Sequence, residues 1–264
     1  MQLIDTHCHL DIAEFDPDRD EVLSRARRAR VDAIVVPAID RAGWQGLTAL
    51  CASRPELFPA LGMHPVYIER HQDADVEALA RWVGEHRPVA VGEIGLDYFV
   101  GGLDRQRQQS LFEAQLCIAR DAGLPVLLHV RKAHDQVLAT LRRIRVDRGI
   151  AHAFNGSLVQ AQRYLELGFK LGFGGMLTYE RSRRIRGLAA ALPPEAIVLE
   201  TDAPDLTPVA HHGERNSPAY LPECLQALAE VRGEAATELA GQTTRNACEV
   251  LDIALPSPAP RVAC

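Results

Sequence analysis

The 264-residue chain has few of the features that would place it in a membrane or in an oxidising compartment. No run approaches the roughly 20 apolar residues that cross a bilayer, and the first residues lack the basic and apolar regions of an export signal. Its six cysteines are scattered without CxxC spacing, so they indicate neither a zinc-thiolate site nor a disulfide framework. We therefore expect a cytoplasmic protein with reduced thiols.

The chain also lacks an excess of basic residues, because 29 Lys and Arg stand against 35 Asp and Glu, a formal net charge of −6. Broad coating of nucleic acid depends on many Lys and Arg contacts to phosphates, so this charge argues against it. It does not exclude a small phosphate-directed site whose positive charge comes from bound metal. Hydrophobic residues make up 47% of the chain, which is ordinary for a globular protein with a substantial core.

Short apolar runs alternate with longer helix-like segments along the whole chain, a rhythm typical of repeated βα units. Eight such runs predict an α/β fold, a (β/α)₈ TIM barrel, in one domain over residues 1–253. The tail over residues 254–264 is Pro-rich, and we expect it to be disordered. The eight expected strands are Leu3–Thr6, Ala33–Pro37, Phe58–Leu61, Val89–Gly92, Pro125–Leu128, Gly149–Ala151, Phe169–Gly172 and Ile197–Glu200.

Capping signals support the helical segments between these strands. Ser157 and Gln160 form a capping-box pattern, and Gly168 stands where the glycine that ends the same helix is expected. Gly123 likewise closes a helix-like segment that begins near Asp104. After the eighth strand, two closing helices are expected over residues 218–232 and 234–251.

Six histidines and carboxylates stand at the carboxyl ends of the expected strands. In a (β/α)₈ barrel these ends share one face, where the active sites of the fold are found. Four imidazoles and two carboxylates in one cavity are costly to bury without a cation, and their nitrogen and oxygen atoms suit Zn²⁺, Mn²⁺, Co²⁺ or Fe²⁺. The six are His7 and His9 after the first strand, then Glu93, His129, His152 and Asp202 after the fourth, fifth, sixth and eighth.

Each of these residues, taken alone, also has an ordinary structural interpretation. Alternate residues of an extended segment point the same way, so the HxH pair can bind one ion, but it is equally compatible with two unrelated surface histidines. Glu93 could be hydrogen-bonded to backbone, and His129 or His152 could be a core histidine. Asp202 could cap a turn. Their joint placement at strand ends favours a metal site.

The stretches around these positions resemble the TatD family of metal-dependent deoxyribonucleases, within the amidohydrolase-like TIM barrels of metallo-dependent hydrolase type. The resemblance implies a hydrolase that cleaves phosphodiester bonds, chiefly of DNA digested from the 3′ end, and of RNA in some members. The chain departs from the commoner family pattern at Asn155, Asp205 and Ser217, which lie on the expected substrate side. The matching stretches are residues 4–10, 62–65, 91–97, 128–131, 152–156 and 199–204.

The resemblance also implies a site with two divalent metal ions, such as Zn²⁺, Mn²⁺ or Mg²⁺. Asp202 and Glu93 are then the expected catalytic residues, and we hypothesise that Asp202 accepts a proton from the attacking water. The implied ligands are His7, His9 and Asp202 for one ion, His129 and His152 for the other, and Glu93 between the two.

Two further residues are expected to bind substrate. His64 ends the third strand, and Arg131 lies two residues past His129, so both could contact a scissile or flanking phosphate. A salt bridge at the barrel rim is the alternative for Arg131. The basic run over residues 181–186 either guides a nucleic-acid strand or forms a solvated helix face.

Three functions are compatible with this site. The first is a nuclease, and the second is a two-metal hydrolase of a non-nucleic-acid ester, a lactone or an aminoacyl-tRNA ester. The third is a metal-containing protein that only binds, against which the presence of Asp202 argues, because binding alone needs no base. We expect nucleic acid as substrate, no membrane partner, no obligate protein partner, and a monomer.

Overall fold

The computed structural model describes residues 2–255. Within them, eight parallel strands form one sheet in which every strand pairs with its neighbours in chain order. The amide of Thr6 donates to the carbonyl of Leu199 across 3.0 Å and links the ends of the first and eighth strands. The predicted (β/α)₈ barrel is therefore confirmed. The strands are β1 (Leu3–Asp5), β2 (Val31–Pro37), β3 (Leu57–Leu61), β4 (Ala90–Asp97), β5 (Val126–Arg131), β6 (Gly149–Ala151), β7 (Phe169–Phe173) and β8 (Ile197–Leu199).

Nine α-helices surround the barrel in this part of the chain. The helix after β4 is capped by Asp104, whose side chain accepts from the Arg107 amide, and it ends at Gly123 in the left-handed region at φ 66°. Ser157 and Gln160 form both hydrogen bonds of the predicted capping box. The helices are α1 (Arg19–Arg28), α2 (Trp44–Ala52), α3 (Asp73–His86), α4 (Arg105–Ala122), α5 (His134–Ile144), α6 (Leu158–Glu166), α7 (Arg183–Ala191), α8 (Leu221–Arg232) and α9 (Ala236–Leu251).

Two strands, β4 and β5, extend by three or more residues beyond the carboxyl ends that the sequence predicts. β4 continues to Asp97 and β5 to Arg131, so Glu93 and His129 lie inside their strands and not after them. The last four residues of β4 pair in register with the last four of β5. All of β4 is buried, and buried backbone groups need hydrogen-bond partners, which explains why the pairing extends this far.

The closing helices begin later than the sequence predicts. A 3₁₀ turn over Pro218–Tyr220 precedes α8, and α9 starts at Ala236. The predicted Pro-rich tail, apart from its first two residues, lies outside the described part of the chain. Among residues 2–255, no helix combines the length and apolar character needed to cross a membrane.

Apolar side chains fill both the barrel interior and the layer between strands and helices. The interior cluster joins residues of the strands, such as Ile4 and Leu127, with Val250 and Leu251 of α9. Several buried polar side chains, among them His7, Glu93 and His152, lie at the carboxyl ends of the strands, and others, such as Thr243 and Asn246, lie on α9.

Candidate active site

All six expected ligands meet at the carboxyl end of the barrel. In three groups, the candidate ligand atoms lie within 4.8 Å of one another. Glu93 belongs to two of these groups and is the link between them. The groups are His7, His9 and Asp202; His7, Glu93 and His152; and His64, Glu93 and His129.

Glu93 lies at the centre of the site, and its side chain is only 1% exposed. Its Oε2 is 3.1 Å from Nε2 of His7 and 3.4 Å from Nε2 of His9. Its Oε1 is 3.0 Å from Nδ1 of His129 and 3.4 Å from Nε2 of His64. Burial opposes ionisation, but the neighbouring histidines hold the pKa of Glu93 well below its usual range. The carboxylate is therefore ionised and shared by four rings.

Two of these rings are oriented by acceptors on the nitrogen that faces away from Glu93. Nδ1 of His9 lies 3.3 Å from the Pro37 carbonyl, and Nε2 of His129 lies 2.8 Å from Oδ2 of Asp97. A carbonyl or an ionised carboxylate can only accept, so in each neutral ring this nitrogen carries the proton. The other nitrogen then presents its lone pair to the centre of the site, as in rings that bind metal.

The Glu200 carboxylate lies beside His152, although Nδ1 of that ring makes no hydrogen bond among the described residues. Oε1 of Glu200 lies 3.1 Å from Nδ1 of His152 and accepts from the Ala153 amide at 2.6 Å. The glycine at position 172 makes room for this carboxylate, since a Cβ there would stand 2.1 Å from Oε2 of Glu200. Burial lowers the pKa of His152, but the charges of Glu200 and Asp202 outweigh it and raise the pKa to about 10.

His64 presents a proton to the centre instead of a lone pair. Its Nδ1 accepts a hydrogen bond from the Val66 amide at 3.1 Å, so Nε2 carries the proton in the neutral ring. Burial lowers the pKa of His64 to about 4, which keeps the ring neutral at physiological pH. Nε2 of His64 therefore directs its proton toward Oε1 of Glu93, 3.4 Å away, although its position alone would group it with possible ligands.

Asp202 is the more open of the two expected catalytic carboxylates, at 16% exposed against 1% for Glu93. Its Oδ1 lies 3.7 Å from Nε2 of His7 and 3.8 Å from Nε2 of His9. The backbone of Asp202 is in the left-handed region at φ 58°, which is uncommon outside glycine. Its amide donates to the His7 carbonyl and its carbonyl accepts from the Asp205 amide, both at 2.8 Å. These bonds fix the carboxylate over the histidines.

Asp5 joins the two loops that carry the most ligands. Its Oδ1 accepts from the amides of Thr201 at 2.9 Å and His7 at 3.2 Å, and its Oδ2 accepts from the Thr201 hydroxyl at 2.5 Å. Burial raises the pKa of Asp5 to about 7. Because β1 and β8 are the first and last strands, this carboxylate ties the two ends of the barrel together beneath the site.

The donor set fits a divalent cation. Nε2 of His7 and Nε2 of His9 lie 3.3 Å apart, a separation at which two lone pairs repel unless a cation or a proton lies between them. Nδ1 of His7 is buried with no hydrogen-bond partner among the described residues, so the polar contacts of this ring point only to the centre. Imidazole and carboxylate donors with carboxylates behind the rings are typical of transition-metal sites.

Sequence reasoning missed Asp97 and Glu200 as functional residues. Asp97 follows Glu93 by four positions in one strand, a spacing that places both side chains on the same face. This spacing indicates a shared face only when β4 is known to extend to Asp97. Glu200 precedes Asp202 by two positions after β8, and in an extended segment this spacing likewise places both side chains on the same face.

Arg131 lies beside the site at the barrel rim. Its Nη1 is 3.7 Å from Oδ2 of Asp97, and its side chain is 42% exposed. Both expected roles, a rim salt bridge and a phosphate contact, are compatible with this position. The basic run spans the start of α7, where the Arg186 guanidinium donates to the Leu177 carbonyl.

A barrel with imidazole and carboxylate donors at its carboxyl end is the architecture of a metal-dependent hydrolase. Comparison with known proteins gives the particular family. The family model for TatD-related DNases matches residues 4–252, and the chain belongs to that family.

Individual relatives agree with this assignment. The uncharacterized metal-dependent hydrolase YjjV of Escherichia coli K12 is 40% identical, over 96% of this chain and 98% of its own. The crystal structure of YjjV, a TatD homolog, matches with a TM-score of 0.92 at 38% identity, covering 96% of this chain and 98% of the other. The 3'-5' ssDNA/RNA exonuclease TatD of Klebsiella pneumoniae is 34% identical, over 92% of this chain and 95% of its own. The family predicted from the sequence is confirmed.

Proposed function

We propose that this protein is a deoxyribonuclease of the 3′–5′ exonuclease type that uses two divalent metal ions. The observation that carries the proposal is the position of Glu93, whose two oxygens each face a different pair of imidazoles. A carboxylate shared in this way can bridge two ions. The phosphodiester substrate is supported by the relative from Klebsiella pneumoniae, which is a 3'-5' ssDNA/RNA exonuclease.

We assign His7, His9 and Asp202 to one ion and His129 and His152 to the other, with Glu93 between them. The first set is supported by its grouping in space. His64 is also a candidate for the second ion, because its Nε2 lies 3.4 Å from Oε1 of Glu93. The proton on this nitrogen argues against a ligand role. Nε2 of His152 lies 3.7 Å from Oδ2 of Asp202, and Glu200 faces its other nitrogen, which supports His152 as the second imidazole once a metal ion displaces the proton on Nε2.

The remaining chemistry follows from the side chains. Divalent cations, when bound, polarise a phosphoryl oxygen and lower the pKa of water. Hydrolysis forms one P–O bond to the water oxygen and breaks the P–O bond to the leaving oxygen, which takes up a proton from solvent. Asp202 takes the proton that the attacking water loses, since it is the more open carboxylate. His64 donates its Nε2 proton in a hydrogen bond to a phosphoryl oxygen, and Arg131 binds a flanking phosphate.

The test uses protein that has been stripped of metal and reloaded with Mg²⁺, Mn²⁺ or Zn²⁺. Wild type should shorten 5′-labelled DNA from its 3′ end, and Glu93→Ala and Asp202→Ala should abolish the ladder. Asp121→Ala, which removes an exposed carboxylate on α4, is the matched control and should cleave like wild type. Turnover of an ester or lactone panel without cleavage of DNA or RNA would overturn the nuclease proposal, as would binding of DNA without cleavage.

A further inference from the structure

An exposed aromatic ring with two cations over it lies at the rim of the barrel mouth. Phe99, in the loop after β4, is 54% exposed although the ring is apolar. The guanidinium carbon of Arg131 lies 4.1 Å from the centre of the ring, and Nζ of Lys132 lies 4.9 Å from it. Both distances are within the range of cation–π contacts. We call Phe99, Arg131 and Lys132 the stacking platform.

The stacking platform is fixed to the active site through one carboxylate. Oδ1 of Asp97 accepts from the amides of Phe99 and Val100, both at 2.8 Å. Oδ2 of the same side chain accepts from His129 at 2.8 Å and lies 3.7 Å from Arg131. The carboxylate that orients a ring of the metal site therefore also positions the loop that presents Phe99.

The charges of the platform are available to a ligand. Lys132 makes no ion pair with any residue in the range 2–255, and the ion pair of Arg131 is with the buried Asp97. By contrast, Arg142 and Arg143 on the neighbouring helix α5 pair with glutamates. In a chain of net charge −6, two cations without surface partners beside an exposed ring form a local site for an anion with a flat apolar part.

We propose that the stacking platform binds a nucleotide of a single-stranded substrate next to the scissile phosphate. A base stacks on Phe99, while Arg131 and Lys132 contact the phosphates on either side of it. Every base has a π face, so this contact tolerates any sequence, whereas in a duplex both faces of a paired base are covered by neighbours. The inference rests on the proposed nuclease function and adds to it a subsite in which Phe99 stacks on one unpaired base.

Steady-state kinetics on short single-stranded DNA give the first test. Phe99→Ala should raise KM about 5- to 100-fold, the loss expected for one base stack, with kcat changed less than about twofold. Phe99→Trp should restore KM to within about threefold of wild type, because it keeps the flat ring. Val159→Ala truncates an apolar side chain that is 57% exposed on α6 and should leave KM unchanged.

The cations are tested by salt dependence. Lys132→Gln should lower the slope of log KM against log salt by about 0.7, the effect of one phosphate contact to a single strand. Arg142→Gln removes the same charge from an arginine that already pairs with Glu166 and should leave the slope unchanged.

A scan of substrates with one abasic nucleotide locates the stacked base. In wild type, one abasic position should raise KM, and in Phe99→Ala the same position should carry no further penalty. Equal penalties in both proteins, or an unchanged KM in Phe99→Ala, would overturn the inference while leaving the nuclease function intact.

A binding assay distinguishes failure of the stacking platform from failure of the proposed nuclease function. If wild type binds a phosphorothioate single strand but cleaves no DNA, the nuclease proposal fails, and weaker binding by Phe99→Ala alone still supports the platform. If wild type binds no single strand at all, both fail.

Discussion

Nε2 of His129 donates a hydrogen bond to Oδ2 of Asp97 across 2.8 Å, while Nδ1 of the same ring lies 3.0 Å from Oε1 of Glu93. The ring thus has a carboxylate on each side. Only one side can receive the proton of a neutral imidazole, and the hydrogen bond from His129 helps to hold the pKa of Asp97 at about 2, although burial opposes it. Asp97 is therefore an acceptor at all physiological pH values, and it decides which nitrogen of His129 can bind metal.

Asp97→Asn should weaken metal binding at His129. The amide can still accept from Phe99 and Val100, so the loop is retained, but its NH₂ group would face Nε2 and favour the tautomer with the proton on Nδ1. Loss of such an outer carboxylate typically reduces metal affinity or activity about 10- to 100-fold. Titration calorimetry with Mn²⁺ or Zn²⁺ measures the change, with Asp121→Asn as the control. Wild-type affinity in Asp97→Asn would show that the carboxylate does not orient the ring.

His64 and His152 should differ in what their removal does to metal content. His152→Ala should lose about one metal equivalent, because Nε2 of this ring faces the centre, 3.7 Å from Oδ2 of Asp202. His64→Gln should keep full metal content and lower kcat about 100-fold, the typical effect of removing one hydrogen-bond donor that stabilises a transition state. Elemental analysis after gel filtration counts the metal. Loss of one metal equivalent in His64→Gln would show that His64 is a metal ligand and that the metal displaces the proton on its Nε2.

Gly172→Ala should act on the site through Glu200. A Cβ at position 172 would stand 2.1 Å from Oε2 and 2.6 Å from Cδ of that side chain, so the carboxylate must leave its present position beside His152. We expect a loss of about 1–3 kcal/mol in the free energy of unfolding and weaker metal binding. Gly187→Ala in α7 is the matched control, since a Cβ there meets nothing within 4 Å. It should gain about 0.5–1 kcal/mol from helix propensity, measured by urea unfolding. A Gly172→Ala protein with wild-type stability and metal affinity would contradict this account.

The sequence allows the barrel and the ring of ligands to be predicted for a simple reason. Strand-sized apolar runs occur eight times. The polar residues at the carboxyl ends of these runs must lie at the same end of a closed parallel barrel. What could not be predicted depends on pairing between distant residues. The extension of β4 to Asp97 follows from its register with β5, and the protonation of His64 follows from the position of the Val66 amide. Neither contact leaves a periodic signal in the sequence.

A buried histidine outside the metal site, His134, contributes to the stability of the fold. His134, at the start of α5, is buried against the ring of Phe154, 5.3 Å between centroids. Its two ring nitrogens lie 3.3 Å from the Tyr164 hydroxyl and from Oδ1 of Asn155, so the neutral ring accepts at one nitrogen and donates at the other. Burial lowers the pKa of His134 below the usual 6.5, and the hydrogen bond to Asn155 only partly offsets this.

The sign of the pH effect follows from this lowered pKa. Above pH 6.5 the ring is neutral in both the folded and the unfolded chain, so it contributes its full stability. As the pH falls below 6.5, His134 binds a proton in the unfolded chain but stays neutral in the folded chain. The free energy of unfolding therefore decreases until the pH reaches the lower pKa of the folded state. His134→Gln lacks this titration, so the stability difference between wild type and the variant should shrink as the pH is lowered from about 8 to about 5.5. Urea unfolding at several pH values measures this stability difference, and His86→Gln, at an exposed position, is the control. A difference that stays constant or grows toward low pH would show that the folded protein accepts the proton on His134.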